Sequence, residues 1–172
     1  MFKIRYFLNP KRRFNQSLRS KIVHYLRLPF IHFGLWLNFN NSEYSYVHGL
    51  SSRVMLGENC STMDAIFNVI SGEIVVGDNT IFGHGCMVLT GTHNFYNGIR
   101  GSLNCPIVEE TPQNGRDISI GSGCFIGSGV IIQGNLSIGD NVLIGAGSVV
   151  TKNIPSNCFV AGAPAKIIYE FN

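Results

Sequence analysis

Residues 118–151, ISIGSGCFIGSGVIIQGNLSIGDNVLIGAGSVVT, decide the fold of this chain. An aliphatic residue recurs there at every sixth position: Ile120, Ile126, Ile132, Ile138, Ile144 and Val150. A small or apolar residue follows four positions after each of the first five: Cys124, Val130, Leu136, Val142 and Ser148. A helix requires a period near 3.6 and a simple strand a period of 2, so a period of six predicts short strands separated by sharp bends.

Such a repeat predicts a solenoid with three flat sides. Each unit of six covers one side, so about 18 residues return the chain to the same side, one strand spacing further along. The recurring aliphatic residues point inward and stack on their counterparts one coil away. Bends such as Ser122-Gly123 and Asp140-Asn141 suit residues that tolerate positive φ or hydrogen-bond the local backbone.

The repeat extends upstream, with one irregularity and one interruption. Earlier units that fit it are Leu56-Gly57, Val76-Gly77 and Phe82-Gly83. The frame shifts by two residues between Gly57 and Ile70. Residues 94–117 contain no repeat, and we interpret them as a loop that projects from one edge of the solenoid. A long insertion in a compact domain is often functional.

The composition indicates one globular domain of 172 residues. Hydrophobic residues make up 45% and charged residues 13% of the chain, which excludes a disordered polyelectrolyte. The five cysteines show no CxxC spacing and favour a reducing compartment over a disulfide framework. No segment reaches the ~20 apolar residues of a membrane span, and no signal peptide pattern opens the chain. We therefore expect a cytoplasmic protein.

Residues 1–50 form a separate, basic segment. Eight of the thirteen Lys and Arg residues lie within residues 1–27, and no acidic residue precedes Glu43. An amphipathic helix is predicted over residues 10–28, because Asn9-Pro10 is a typical helix start and Pro29 ends it. Two roles stay open for this helix: a lid on the open end of the solenoid, or peripheral contact with an anionic membrane. Charge without a binding motif does not indicate nucleic acid.

His93 is the candidate for chemistry by its position alone. It ends the last regular unit before the insertion, which predicts an edge position with partial solvent access. Imidazole is the side chain best suited to take a proton from a hydroxyl or an amine near neutral pH. The alternative is an ordinary bend histidine that hydrogen-bonds the backbone.

The repeat, the histidine and the insertion together resemble the hexapeptide-repeat acetyltransferases, in particular the sugar O-acetyltransferases of the galactoside and maltose type. The resemblance is carried by three motifs: Gly91-Thr92-His93-Asn94, residues 144–152 (IGAGSVVTK) and residues 161–166 (AGAPAK). It covers residues 54–172 and is not recognisable in the first 50. It implies an all-β fold, a left-handed parallel β-helix in residues 51–172. It also implies a homotrimer with active sites between neighbouring subunits.

The resemblance further implies acetyl transfer from acetyl-CoA to an acceptor in a ternary complex. His93 would be the general base. The residues implied to bind coenzyme A are Ser128, Ala146, Thr151, Lys152 and Lys166. The residues implied to lie beside the acceptor are Asn94, Arg100 and Phe125. Phe125 stands where many relatives carry tryptophan, so that contact is altered here.

Two features of the family are absent from the motif around His93. Some relatives carry an acid next to the histidine or two residues before it, whereas this chain has Asn94 and Gly91. Asp64 and Glu73 both remain candidates to orient the imidazole.

The γ-type carbonic anhydrases share the fold but hold zinc with three histidines. No histidine follows His93, so no metal site is predicted.

The predicted function is transfer of an acetyl group to a sugar hydroxyl. The basic segment favours an acceptor in surface-polysaccharide biosynthesis, such as capsule or O-antigen, handled at the inner face of the membrane. The alternative acceptors are an antibiotic hydroxyl, serine and an amino-sugar nitrogen. The non-enzyme alternative is a structural solenoid scaffold, which does not require His93, the insertion and Lys166 together.

Overall fold

A computed structural model of the chain describes residues 45–96, 98–101 and 111–171. They belong to one compact unit, Ser42–Asn172. This part of the chain consists of short β-strands and one 3-10 turn, Ser51–Arg53. No helix within it is long and apolar enough to cross a membrane. The helix predicted over residues 10–28 lies outside the described residues.

Most strands fall into three sheets that form the sides of a prism. Sheet A contains β1 (Tyr46–His48), β3 (Ile66–Asn68), β6 (Met87–Leu89), β11 (Ile131–Gln133) and β14 (Val149–Val150). Sheet B contains β2 (Val54–Leu56), β4 (Ile74–Val76), β9 (Ile118–Ile120) and β12 (Leu136–Ile138). Sheet C contains β5 (Ile81–Phe82), β10 (Phe125–Ile126), β13 (Val142–Ile144), β15 (Cys158–Ala161) and β16 (Lys166–Glu170). Pairing in sheet A therefore begins at β1, before residue 51.

The chain visits sheets B, C and A in turn, and each circuit adds one parallel strand to every sheet. Ile118 pairs with Leu136, Phe125 with Leu143 and Ile131 with Val149, so a regular coil takes 18 residues. Val54 pairs with Ile74, which makes the first coil two residues longer. The predicted solenoid and its two-residue shift are both confirmed.

The recurring aliphatic residues form the core. All six are buried and stack in register: Ile120 on Ile138, Ile126 on Ile144 and Ile132 on Val150. The residues four positions later are buried as well, from Cys124 to Ser148. In the first coils two phenylalanines fill the interior, with the rings of Phe67 and Phe82 edge to face at 5.9 Å. Each additional coil thus extends one continuous apolar column.

Three edges join the sheets, and each is named here by the sheets it connects. The BC edge carries the bends at 57–59, 77–79, 121–123, 139–141 and 155–157. The CA edge carries those at 62–64, 83–85, 127–129 and 145–147. The AB edge carries 69–73, the insertion after β6, 134–135 and 151–153. The insertion contains an antiparallel hairpin of β7 (Phe95–Tyr96) and β8 (Ile99–Arg100).

The BC edge shows how the bends are held together. From the second bend on, the side chain in the middle of the bend accepts a hydrogen bond from a backbone N–H of the preceding coil. The donor–acceptor pairs are Glu58 N to Asp78 Oδ1, Asp78 N to Ser122 Oγ, Ser122 N to Asp140 Oδ1 and Asp140 N to Ser156 Oγ. These distances are 2.7–3.1 Å, so the N–H of the middle residue in each of the first four bends has a partner one coil away.

The C-terminal end is closed by an antiparallel strand. The chain turns after β15, and β16 pairs back onto it, with Phe159 opposite Tyr169 and Ala161 opposite Lys166. Because β16 occupies the outer edge of sheet C, the last parallel strand does not present a free row of hydrogen-bonding groups.

Candidate functional site

His93 lies on the AB edge, where the chain leaves the solenoid. Thr90 is fully buried, and its hydroxyl accepts a hydrogen bond from Ser71 N at 3.2 Å and donates one to Asn68 O at 2.8 Å. His93 follows three residues later and is exposed. A rigid anchor therefore precedes an accessible imidazole, as the sequence predicts.

The hairpin after His93 keeps two other predicted residues on the same edge. Gly101 N donates to Asn94 O at 2.7 Å, which closes the hairpin at its base. Arg100 lies opposite Phe95 in the antiparallel pair. Asn94 and Arg100 therefore belong to the same projecting element as His93 in the chain. This element is the one predicted to meet the acceptor.

Hydrogen bonds from two arginine side chains attach the C-terminal end of the insertion to the solenoid. The Arg116 Nε donates to Thr90 O at 2.8 Å, which ties the two ends of the insertion together. The Arg53 guanidinium donates to Gln113 O at 3.0 Å, to Asn114 Oδ1 at 2.5 Å and to Val69 O at 3.1 Å. Neither arginine was singled out for this role by the sequence. Their positions are set by the fold, not by a motif.

Thr151 and Lys152 also lie on the AB edge, directly after β14. Both are exposed, two coils beyond the start of the insertion. The structure thus collects His93, Asn94, Arg100, Thr151 and Lys152 on one edge of the prism.

Ser128 and Ala146 lie on another edge. Each is the middle residue of a Gly-X-Gly bend on the CA edge, in Gly127-Ser128-Gly129 and Gly145-Ala146-Gly147. Both glycines of each bend are required, the first for space and the second for its backbone conformation. The second glycine has a φ of +70° or +69°, and a Cβ on Gly127 would lie 2.6 Å from Ala146 N. The two bends therefore stack with their backbones in close contact, and both middle residues remain exposed.

The CA edge differs from the BC edge in its backbone donors. His84 N donates to Ser128 Oγ at 3.2 Å, which repeats the BC pattern. Ala146 has no side-chain acceptor, and the structure gives neither Ser128 N nor Ala146 N a hydrogen-bond partner among the described residues. Two outward N–H groups, one coil or ~4.8 Å apart, are thus available along this edge. The sequence signal for them is the alanine in the third Gly-X-Gly bend.

Phe125 and Lys166 lie on sheet C. Phe125 is 48% exposed and points outward, between Ile81 and Leu143 in the register of the sheet. Lys166 opens β16 opposite Ala161, at the end of sheet C that adjoins the CA edge. Ser128, Ala146 and Lys166 therefore follow one another along the CA edge toward the C-terminus.

The predicted site residues thus form two groups within one chain. One side of the prism, sheet A, separates the AB edge from the CA edge, a distance on the order of 15 Å for a strand of this length with its bends. Reacting atoms must approach to about 3–3.5 Å. A single chain does not bring His93 to the edge that carries Ser128 and Ala146.

Asp64, one of the two carboxylates considered to orient His93, does not share an edge with His93 within one chain. It lies on the CA edge, where its Oδ1 accepts a hydrogen bond from Gly85 N at 2.7 Å and lies 3.4 Å from His84 Nδ1. The hydrogen bond from Gly85 and the nearby His84 lower the pKa of the Asp64 carboxyl. Sequence distance hid this pair, because the two residues are 20 apart and meet only through stacking of the first two coils.

Glu73, the other carboxylate considered, lies on the AB edge directly before β4. Its backbone N–H donates to Asp117 Oδ1 at 2.8 Å. A groove of about 430 Å³ runs along this edge on the outer face of sheet B, lined by Glu73, Asp117, Ser119, Ser137, Asn153 and their neighbours. It contains none of the residues predicted to bind coenzyme A.

The cysteines of the solenoid are structural. Cys86, Cys124 and Cys158 are buried free thiols. Burial raises the pKa of the Cys86 thiol and of the Cys124 thiol. In the described part of the chain, no group of three or more His, Cys, Asp or Glu residues is arranged to hold a metal ion.

Comparison with known proteins agrees with this architecture. Residues 117–152 match the family model for the bacterial transferase hexapeptide (six repeats). Galactoside O-acetyltransferase of Escherichia coli (strain K12) is 33% identical over 125 residues, which are 70% of this chain and 56% of that protein. The chain therefore spans little more than half the length of this relative.

Two solved structures resemble this solenoid. A maltose O-acetyltransferase from Clostridium difficile 630 superposes with a TM-score of 0.62 at 32% identity, covering 76% of this chain and 65% of that chain. A galactoside acetyltransferase in complex with coenzyme A superposes with a TM-score of 0.57 at 29% identity, covering 76% and 63%.

Proposed function

We propose that this chain transfers an acetyl group from acetyl-CoA to an acceptor hydroxyl, because residues 117–152 match the hexapeptide transferase model and the chain is similar to galactoside and maltose O-acetyltransferases. One observation carries the proposal: exposed His93 opens the insertion on the AB edge, while the CA edge offers two backbone donors in a row. A scaffold requires neither feature.

The CA edge suits the pantetheine arm of coenzyme A. That arm is an extended chain with two amide groups, and its carbonyl oxygens are acceptors for N–H donors such as that of Ala146. A ligand that runs along this edge reaches Lys166 at one end, where an ammonium group matches a phosphate. Thr151 and Lys152 would approach it from the AB edge of another copy.

His93 would act as the general base. In the proposed step, its imidazole takes the proton of the acceptor hydroxyl while the hydroxyl oxygen attacks the thioester carbonyl carbon. The carbon–sulfur bond then breaks, and coenzyme A leaves as the thiolate, which takes up a proton. The backbone N–H of Ser128 is a candidate donor to the oxyanion that develops on the carbonyl oxygen. The coenzyme supplies the activated acyl group, and the protein supplies position and a base.

A trimer would complete the site. Sheet A lies between the two edges, and its outward column is apolar: Tyr46, Ile66, Met87, Ile131 and Val149 are in register. If three copies turn this face toward a common axis, the AB edge of each meets the CA edge of the next. His93 of one copy would then face Ser128 and Ala146 of its neighbour.

We propose a sugar hydroxyl as the acceptor, because the relatives named above are a galactoside and a maltose acetyltransferase. Asn94, Arg100 and Phe125 would contact it. A role in surface-polysaccharide biosynthesis rests on the basic residues 1–27, which would bring the protein to an anionic membrane face. An acceptor screen with sugars, serine and hydroxylated antibiotics, followed by release of free thiol, distinguishes these acceptors.

Calorimetric titration with coenzyme A tests the coenzyme edge. We expect one saturable site per chain in the wild type and its loss in Ala146→Phe, because the added ring would cover the exposed edge. Glu58→Phe is the matched control, since Glu58 occupies the same exposed bend position on the BC edge. Equal binding by both variants would move the coenzyme away from the CA edge.

His93→Ala tests the base. We expect turnover to fall by at least about 100-fold, the usual contribution of general base catalysis, while coenzyme A still binds. A variant that retains turnover would exclude His93 as the base. A variant that loses coenzyme binding as well would indicate a structural role.

A further inference from the structure

Three aromatic side chains form a row at the C-terminal end of sheet C. The ring centroids of Phe159 and Tyr169 are 5.6 Å apart, with the planes tilted by 58°. Those of Tyr169 and Phe171 are 5.2 Å apart and nearly perpendicular. Tyr169 is 52% exposed, although it lies in the middle of the row. Aromatic rings that served only to close the core would be covered.

The register of the strands connects this row to the CA edge. Phe159 pairs with Tyr169 and Ala161 pairs with Lys166, and residues two apart on one strand share a face. Lys166 therefore projects from the same face of sheet C as the two rings. The Phe159 ring also reaches the bend before Ala146, since a Cβ on Gly145 would lie 3.4 Å from Phe159 Cε2.

We infer that Tyr169, supported by Phe159, is the stacking platform for the adenine ring of coenzyme A. This inference rests on the proposed function and adds a site for the nucleotide. A ligand that follows the donors of Ser128 and Ala146 toward the C-terminus arrives at Lys166 and then at this row. The nucleotide end of coenzyme A carries phosphates, which would pair with the ammonium group of Lys166. It also carries a flat purine, which would stack on the exposed ring of Tyr169.

A role as a protein-binding surface explains the aromatic row less well than a role in stacking adenine. The aromatic residues lie beside a cation and continue a line of ligand-binding groups, whereas Leu143, the outward residue next to Phe159 on sheet C, is aliphatic. Stacking on an aromatic side chain accepts any base and needs no hydrogen-bond pattern. The geometry required is therefore only an accessible ring beside the phosphate contact.

The test compares two ligands that differ in the adenosine portion. Coenzyme A and 4′-phosphopantetheine are titrated into the full chain and into Tyr169→Leu, which removes the ring but keeps a strand-forming side chain. We expect the affinity for coenzyme A to fall about tenfold, as is typical of a lost base–aromatic contact, and that for phosphopantetheine to stay unchanged. Tyr169→Phe should retain the affinity for both ligands.

Tyr96→Ala is the control for the loss of an exposed tyrosine, because Tyr96 is 55% exposed and lies in the hairpin of the insertion. It should leave both affinities unchanged. The inference is overturned if Tyr169→Leu binds both ligands like the wild type, or if it weakens both equally, which would indicate distortion of the edge. A wild type that binds neither ligand would overturn the acetyltransferase proposal itself, and this inference with it.

Discussion

At the scale of single residues, the bends carry most of the information. The first glycine of a bend is required because the next coil lies directly against it. At Gly121 a Cβ would lie 2.6 Å from the Gly139 carbonyl carbon and would also meet the Asp140 carboxylate. The third position only needs a positive φ, which Gly123 adopts at +66° and Asn141 at +54°. Two glycines in one bend thus answer to different constraints.

These constraints predict opposite outcomes for two substitutions in the same bend. Gly121→Ala should destabilise the fold by about 1–3 kcal/mol, because the backbone of the neighbouring coil must move. Gly123→Asn should change the stability by less than about 1 kcal/mol, since asparagine tolerates this φ and nothing lies within 4 Å of the added Cβ. Urea denaturation followed by circular dichroism measures both. Similar losses for the two variants would refute the assignment of the clash.

The residue pattern predicted the core of residues 118–151 but not that of the first coil, where the predicted inward residue Leu56 is 46% exposed and Phe67 fills the interior. Burial of Ile120 through Val150 follows from the six-residue period, because each unit has one inward position. The Asp64–His84 pair could not be predicted, since it depends on which bends stack. The open donors of Ser128 and Ala146 could be predicted only after the stacking of the bends was known, because only then does the alanine at position 146 indicate that Ser128 N lacks a side-chain acceptor.

At the scale of elements, the insertion is separable from the solenoid. Thr90 is the last residue of the repeat before the insertion, and Asp117 is the first after it. The side chain of Arg116 links the two ends by a hydrogen bond to Thr90 O. Between β11 and β12 the same edge is crossed by two residues alone, Gly134 and Asn135. The solenoid does not need the insertion to continue from β6 to β9. Its presence is better explained by function.

Deleting residues 91–116 and replacing Thr90 by glycine should therefore leave a folded solenoid. The new connection, Gly-Asp, would match Gly134-Asn135, and Gly134 adopts a φ of +125° that glycine allows. We expect a cooperative thermal transition by circular dichroism and no turnover, because His93 is removed. Full-length His93→Ala is the control for turnover. An unfolded deletion variant would show that the insertion contributes to the fold.

The elements themselves were predictable where the repeat is regular. The strand positions from β9 to β14 follow directly from the six-residue period. The β7–β8 hairpin was not predictable, because Phe95, Tyr96, Ile99 and Arg100 show neither a repeat nor a long alternating pattern. The antiparallel return of β16 also breaks the repeat, and only Pro164 marks the turn before it.

At the scale of the whole molecule, the arrangement of apolar side chains on the outside is the informative feature. Sheet A presents an outward apolar column across all five strands, and sheet C presents another from Ile81 to Tyr169. The outward column of sheet B changes from Met55 and Val75 to Ser119 and Ser137. If copies pack through sheet A, the AB edge of one copy meets the CA edge of the next, as the proposed chemistry requires. Packing through sheet B or sheet C would not bring these two edges together.

This difference between the faces predicts which substitution dissociates the assembly. Ile131→Asp places a charge in the middle of the sheet A column, and burial of that charge in an interface is strongly unfavourable. We expect light scattering to give three times 18.9 kDa for the wild type and 18.9 kDa for the variant, with turnover lost because the two edges separate. Val75→Asp introduces the same charge at a 42% exposed strand position on sheet B and should remain trimeric and active. If Val75→Asp dissociates and Ile131→Asp does not, sheet B forms the interface, and His93 and Ala146 cannot share a site in the way proposed.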